Sequence, residues 1–188
     1  MDEIALARHG ESETSARSLV GGDAGLTPLG RRQAGALAVE LAQTTIDVCL
    51  TSRTRRARET AEIVLADRDV PIEVEPAFDE IVFGIFEGRP LDDYRAWIET
   101  HPPDASPPGG ESRVTTLRRF TRAFRGVLAR RAQSVLVVAH GLTLSAILDP
   151  RPRPIVTGVP YGALVRLRRE ELEEAVSRLE HWCDAPAW

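Results

Sequence analysis

Apolar positions along the chain switch between two patterns. One is a short continuous run; the other is a three- and four-residue spacing over a longer stretch. "IALA" at 4–7 runs into Arg8 and predicts a buried strand over 4–8. Thr27 followed by Pro28 is a helix start, and Ala34, Leu37, Ala38 and Leu41 share a face of a helix predicted to run to about Gln43. "VCLTS" at 48–52 predicts a second strand. A helix through Arg56 to about Ala66 follows, with Ala57, Ala61, Ile63 and Val64 as its apolar positions. "PIEVEPAF" at 71–78 alternates and predicts a third strand. "DEIVFGIFEG" at 79–88 reads as a loop with aromatic anchors, and a helix is predicted over roughly 91–101. "HPPDASPPGGES" at 101–112 reads as a surface loop and leads into a basic helix at about 112–132. "SVLVVAH" at 134–140 is nearly all apolar, as a central parallel strand covered on both faces must be. "LTLSAIL" at 142–148 restarts a helix and "ALVRLRR" at 163–169 is a late strand. In the tail, Leu172, Val176 and Leu179 fit a helix, while "AVSRLEHW" also fits a strand closing a hairpin.

Strands alternating with helices predict an α/β protein: a mostly parallel central sheet between two helical layers, a three-layer α/β/α sandwich. No repeat or boundary divides residues 1–188, so one domain is expected. The 43% hydrophobic and 28% charged composition is that of a soluble globular protein. No apolar run is long enough to span a bilayer, so no membrane partner is expected. The acidic start Met1-Asp2-Glu3 leads directly into a strand and shows no signal peptide. Cys49 and Cys183 are the two cysteines, with no disulfide framework, and a cytoplasmic location is the expectation. A net charge of -4 argues against general nucleic-acid binding. All 24 basic residues are arginines, which removes Schiff-base and P-loop lysine chemistry.

Three predicted strands end in the same kind of residue. The first ends at Arg8-His9-Gly10, the second at Ser52 with Arg56 one helical turn beyond, and the strand 134–140 at His140-Gly141. In an open α/β sheet, ligands bind beyond the carboxyl ends of the strands. Arginine presents a planar fork of donors suited to phosphate oxygens. Gly10 and Gly141 would let backbone approach a ligand. An imidazole near its ordinary pKa can attack or carry a proton at neutral pH. Taken singly, each piece reads as a turn or a solvated helix face; their convergence at three strand ends points to phosphoryl chemistry.

The residues then resemble a family. "LARHGESE" resembles the Arg-His-Gly-Glu signature of the histidine phosphatase superfamily, the phosphoglycerate-mutase-like fold. "GLTPLGRRQA", "TSRTRRARETAE", "FDEIVFGIFEG", "PGGES" and "VVAHG" resemble its further segments in the same order, over nearly the whole chain. The resemblance implies that His9 attacks phosphorus and becomes phosphohistidine. It implies that Arg8, Arg56 and His140 neutralise the non-bridging oxygens, and that Glu80 protonates the leaving alcohol. Glu11 and Glu87 are rival acids. Ser15 stands where the family often carries a phosphate-contacting asparagine. The implied activity is that of an acid-phosphatase-like phosphomonoesterase acting on a small phosphorylated metabolite, with no cofactor and no metal. A homodimer stays open. A mutase-type phosphoryl transfer and a non-catalytic binder of phosphorylated ligands are the alternatives; the absent lysine and the short 91–110 segment favour the phosphatase. Residues 14–25 and 83–110 are expected to roof the pocket, with Phe83, Phe86, Tyr94, Trp97, Arg89 and Arg95 available to line it.

From another class, Cys49 through Arg55 matches the Cys-x5-Arg spacing of cysteine-dependent phosphatases. The segment lacks the glycine such a loop needs, and Cys49 falls inside an apolar strand, so a buried structural cysteine is expected. His101 and His181 look incidental, and no ligand spacing supports a metal hydrolase.

Overall fold

The computed structural model describes residues 3–149 and 158–188; the acidic start at Met1 and Asp2 lies outside them. Five strands form one sheet: β1 Glu3–Arg8, β2 Val48–Thr51, β3 Ile72–Val74, β4 Ser134–Ala139 and β5 Leu164–Leu167. Their order is β3-β2-β4-β1-β5, parallel throughout except for β5, which runs antiparallel to β1. Among the described residues there are seven α-helices. They are α1 Glu13–Ala16, α2 Pro28–Glu40, α3 Arg55–Val64, α4 Leu91–Glu99, α5 Arg113–Ala129, α6 Gly141–Leu148 and α7 Arg169–Asp184. The fold is the expected mixed α/β class.

Period-two alternation sorts the strand residues between two cores. Ala5, Ala7, Cys49, Leu136 and Val138 pack with Leu37 and Leu41 of the α2 segment and with Ala57 and Ala61 of α3. Ile4, Leu6, Leu50, Val135 and Val137 face the other way, against Leu117, Phe120 and Phe124 of α5 and Leu172 and Val176 of α7. Both faces of β4 are buried, which is why its sequence carries no polar alternation. Phe78 and Phe124 meet edge to face at 4.9 Å, both fully buried; each such ring contributes about 1.5–3 kcal/mol by leaving water.

Two expectations change. The third strand is shorter than 71–78: pairing ends at Val74, and Pro76–Phe78 is a single 3-10 turn capped by the Glu75 carboxylate on the Ala77 amide. Pro76 has no amide to donate to a ladder, and Ile72 and Val74 sit on an exposed edge. The open choice at the tail resolves to helix α7, because Leu172, Ala175, Val176, Leu179 and Cys183 are all buried along one stripe.

The turn after β1 depends on two glycines. A Cβ on Gly10 would fall 2.3 Å from the Gly30 carbonyl oxygen, and one on Gly30 would fall 2.0 Å from that of Glu11. The β1–α2 junction is therefore backbone against backbone. Gly35, on the same helix, has open space where a Cβ would stand, with nothing within 4 Å. We expect Gly30→Ala to lower unfolding stability by about 1–3 kcal/mol or more through overpacking. Gly35→Ala should raise it by about 0.5–1 kcal/mol through helix propensity. Urea titration of the two variants checks this; equal effects would contradict the packing.

Candidate active site

Sheet register brings the strand ends together. Arg8 pairs with Ala139 across β1 and β4, and Thr51 pairs with Val138 across β2 and β4. The next residues, His9, His140 and Ser52, therefore emerge side by side. The His9 amide donates to the Ala139 carbonyl at 3.0 Å, and the two imidazoles lie 5.1 Å apart, edge to face. Both rings are buried, at 3% and 0% exposure.

The tautomer of His9 follows from its partner. Its Nδ1 lies 2.7 Å from the Gly10 carbonyl oxygen, which can only accept, so Nδ1 carries the proton. The Nε2 lone pair is left to face Arg56, whose Nε–H donates to it at 3.3 Å. Burial, then the charge of Arg56, push the pKa of His9 well below its ordinary 6.5. Burial, Arg56 and the neighbouring His9 do the same to His140. Burial thus favours the neutral form of both rings, and of the two it is His9 that lines the niche, with its lone pair turned to Arg56.

The arginines are anchored but leave donors over. Arg56 gives an Nη1–H to the Gly22 carbonyl at 2.7 Å, which ties the roof to the pocket. Arg8 donates to the Val159 carbonyl and stacks 3.6 Å from the Tyr161 ring centroid. Its Nε is buried with no hydrogen-bond partner among the described residues. His140 Nε2 meets the Ser52 hydroxyl at 2.9 Å. Its Nδ1 lies 3.5 Å from Glu80 Oε2, too poorly aligned for a hydrogen bond.

The remaining residues read from sequence fall in varied places. Glu80 lines the pocket, its Oε1 held by the Ile81 amide at 3.2 Å. Gly10 serves the turn itself: its amide donates to Thr60 Oγ1 at 3.1 Å and its missing Cβ makes room for Gly30. Gly141 makes room for Arg8, whose Cζ would lie 3.2 Å from a Cβ there. Ser15 lines the pocket, yet its hydroxyl closes the capping box of α1 with Ser12, accepting the Ser12 amide at 2.8 Å. The rival acids are tied down elsewhere. Glu11 accepts from Thr27 Oγ1 at 2.8 Å, and Glu87 straps the amides of Gly22 and Phe83. Cys49 is fully buried and its thiol is pushed up to about 12, which leaves it unreactive. Phe83, Phe86 and Tyr94 are themselves buried, packing with Val20, Ile81 and Ile98 as a small core of the roof.

Four residues escaped the sequence reading. Thr60 links Gly10 to the Arg56 carbonyl. Arg119, on α5, donates to the carbonyls of Ala77, Asp79 and Glu80 and to the Glu111 carboxylate, so it fixes the backbone that carries Glu80. Tyr161 and Arg113 line the pocket from β5 and α5 neighbourhoods. Arg113 had a signal, since it directly follows "PGGES".

A niche of about 120 Å³ lined by His9, Arg8 and Arg56 lies at the ends of the parallel strands, and a pair of guanidiniums beside an imidazole suits an anion. Residues 4–182 match the family described as histidine phosphatase superfamily (branch 1). The chain belongs to the histidine phosphatase superfamily. It is 35% identical over 164 residues to the 2,3-bisphosphoglycerate-dependent phosphoglycerate mutase of Methylobacterium sp. (strain 4-46), covering 77% of this chain and 78% of that protein. It is 34% identical over 158 residues to the adenosylcobalamin/alpha-ribazole phosphatase of Salmonella typhimurium, covering 76% of each. Among solved structures it is similar to a putative alpha-ribazole-5'-P phosphatase from Escherichia coli, with a TM-score of 0.78, 27% identity and coverage of 89% and 90%. No helix among the described residues is long and apolar enough to cross a membrane.

Depressed histidine pKa values make stability depend on pH with a definite sign. Below about 6.5 the unfolded imidazoles take up protons while the folded ones do not. Stability present above that pH is therefore lost as pH falls, by up to about 1.4 kcal/mol per pH unit per histidine. The double variant His9→Gln/His140→Gln should show a shallower decline between about pH 7.5 and 5.5 in urea melts. Parallel curves for variant and wild type would refute the burial of neutral rings.

Proposed function

We propose that the chain hydrolyses phosphomonoesters of small metabolites through a phosphohistidine on His9. The observation that carries this reading is the fixed tautomer: the Gly10 carbonyl holds the Nδ1 proton and leaves the Nε2 lone pair facing the pocket. Nε2 attacks phosphorus, the N–P bond forms and the P–O bond to the leaving alcohol breaks. Glu80 gives that oxygen its proton. A water then attacks the phosphohistidine, Glu80 takes the proton back, and phosphate leaves with the Nε2 lone pair restored. Arg8, Arg56 and His140 surround the non-bridging oxygens, where fixed donors act most strongly as charge redistributes.

Hydrolysis rather than mutase transfer is supported by composition: there is no lysine to grip a second acidic group. The charge at the niche comes from arginine. Among the described residues, no group of three or more His, Cys, Asp or Glu side chains is placed to hold a metal ion.

Rapid quenching of wild type with labelled substrate should trap an acid-labile, alkali-stable adduct, and His9→Ala should trap none. Turnover should be nearly abolished in His9→Ala, while Arg56→Ala, which removes a single donor group, should lose about 10²–10³ in rate. An adduct that persists without His9 would place the nucleophile elsewhere. Formation of 2-phosphoglycerate from 3-phosphoglycerate, faster than phosphate release, would favour the mutase reading. Activity should survive a chelator and the change Cys49→Ser; loss in either case would contradict the assignment.

A further inference from the structure

Glu80 lies in a stretch of irregular backbone between two single 3-10 turns, Pro76–Phe78 and Gly84–Phe86. A side chain distant in sequence holds that stretch. All five N–H donors of the Arg119 guanidinium, on α5, are engaged around it. Nη1 donates to the carbonyls of Ala77 and Asp79 at 3.0 and 2.8 Å, and Nη2 to the Glu80 carbonyl at 3.3 Å. Nε and Nη2 also form a fork on the Glu111 carboxylate, at 3.2 and 2.7 Å. Glu111 passes the constraint on, because its Oε2 accepts the Val82 amide at 3.1 Å. The backbone is therefore gripped on both sides of Glu80. The Arg119 and Glu111 side chains are only 17% and 20% exposed, which shields the pair from the screening that weakens surface ion pairs.

These contacts hold backbone and leave the Glu80 carboxylate to the pocket. That group has one oxygen on the Ile81 amide at 3.2 Å and the other 3.5 Å from His140 Nδ1. Its direction is therefore set mainly by the backbone that Arg119 holds. A proton donor must come within about 2.6–3.2 Å of the oxygen it serves, and misplacement by about 1 Å can cost about 10²-fold in rate.

We propose that Arg119 is a positioning residue for the proton donor: through its fork on Glu111 and its grip on the 77–80 backbone, it aims the Glu80 carboxyl at the leaving-group oxygen. The inference rests on the hydrolase reading above, in which Glu80 gives that oxygen its proton. The test compares phenyl phosphate, whose leaving oxygen needs a proton, with 2,4-dinitrophenyl phosphate, whose stabilised phenolate leaves without one. The quantity read is kcat/KM, which covers the steps up to and including P–O cleavage. Arg119 also contributes, after burial and the charges of Arg56, His9 and Arg8, to the lowered pKa of His140. In the proposed reaction His140 acts on oxygens common to both esters, so the ratio of the two cancels that influence.

Arg119→Gln should lower kcat/KM for phenyl phosphate by about 10–10²-fold, within what a general acid supplies, and for the dinitrophenyl ester by less than about threefold. Arg119→Lys, with fewer donors, should recover part of the phenyl rate. Glu80→Gln should show the same selective loss, and adding Arg119→Gln to it should cost little more, because both act through one proton transfer. Glu111→Gln leaves the three carbonyl contacts in place and should show a smaller loss of the same kind; it serves where Arg119→Gln does not fold. Equal loss on both esters in the folded variants, or a full further loss in the double variant, would overturn the inference and assign Arg119 to stability alone. Collapse of both single variants would do the same. In each of these cases the hydrolase reading still stands on the His9 adduct and the Glu80→Gln profile. Equal loss on both esters in Glu80→Gln itself would remove the proton donor and the inference with it.

Discussion

One hydrogen bond organises this site: His9 Nδ1–H to the carbonyl of the very next residue. It settles which nitrogen holds the proton, and it does so with backbone, which does not titrate. Without that acceptor, a neutral imidazole could place its proton on either nitrogen. Here the lone pair is pinned toward Arg56. The low pKa suits the proposed attack, since a protonated ring could neither attack phosphorus nor accept from Arg56.

That hydrogen bond requires the chain to turn sharply just after β1, and the turn requires Gly10 and Gly30 to touch backbone to backbone. Thr60 receives the Gly10 amide and donates to the Arg56 carbonyl. The nucleophile candidate and the arginine beside it are thus tied through a third residue on the same helix face of α3. Parallel register supplies the rest, because pairing Arg8 with Ala139 leaves His9 next to His140 with no further loss of chain entropy.

The central strands, the helices and the convergence of Arg8, His9, Arg56 and His140 were legible because each depends on local pattern and on where parallel strands end. Other features depend on contacts distant in sequence. Val74 is the last paired residue of β3 because Pro76 follows it, a local cue that the alternating pattern masked. Arg119 holds Glu80 across 39 positions, and nothing in a basic amphipathic helix marks which of its arginines turns inward. Gly10 and Ser15 carry residue types that suit phosphate, yet their polar atoms are already engaged within the turn and the α1 cap. Residue type at a strand end points to a candidate site; which donors remain open to a ligand is decided by tertiary partners.

The division of labour between the two halves of the pocket follows from the same allocation of donors. The strand ends present charge at fixed spacing, and their backbone positions are locked by the sheet, so they suit a group common to every phosphomonoester. The roof is a separate small core of Val20, Ile81, Phe83, Phe86, Tyr94 and Ile98; Val20 and Phe83 line the niche, Arg56 ties it down through the Gly22 carbonyl, and Glu87 straps the Gly22 and Phe83 amides within it. Ile81, Phe83, Tyr94 and Ile98 of that core also line a cavity of about 270 Å³ beside the niche, whereas the histidines are placed by the sheet register. Under the proposed reaction, selectivity would vary on the roof while the strand ends at His9 stay the same, the arrangement expected of a superfamily whose members include both phosphatases and mutases.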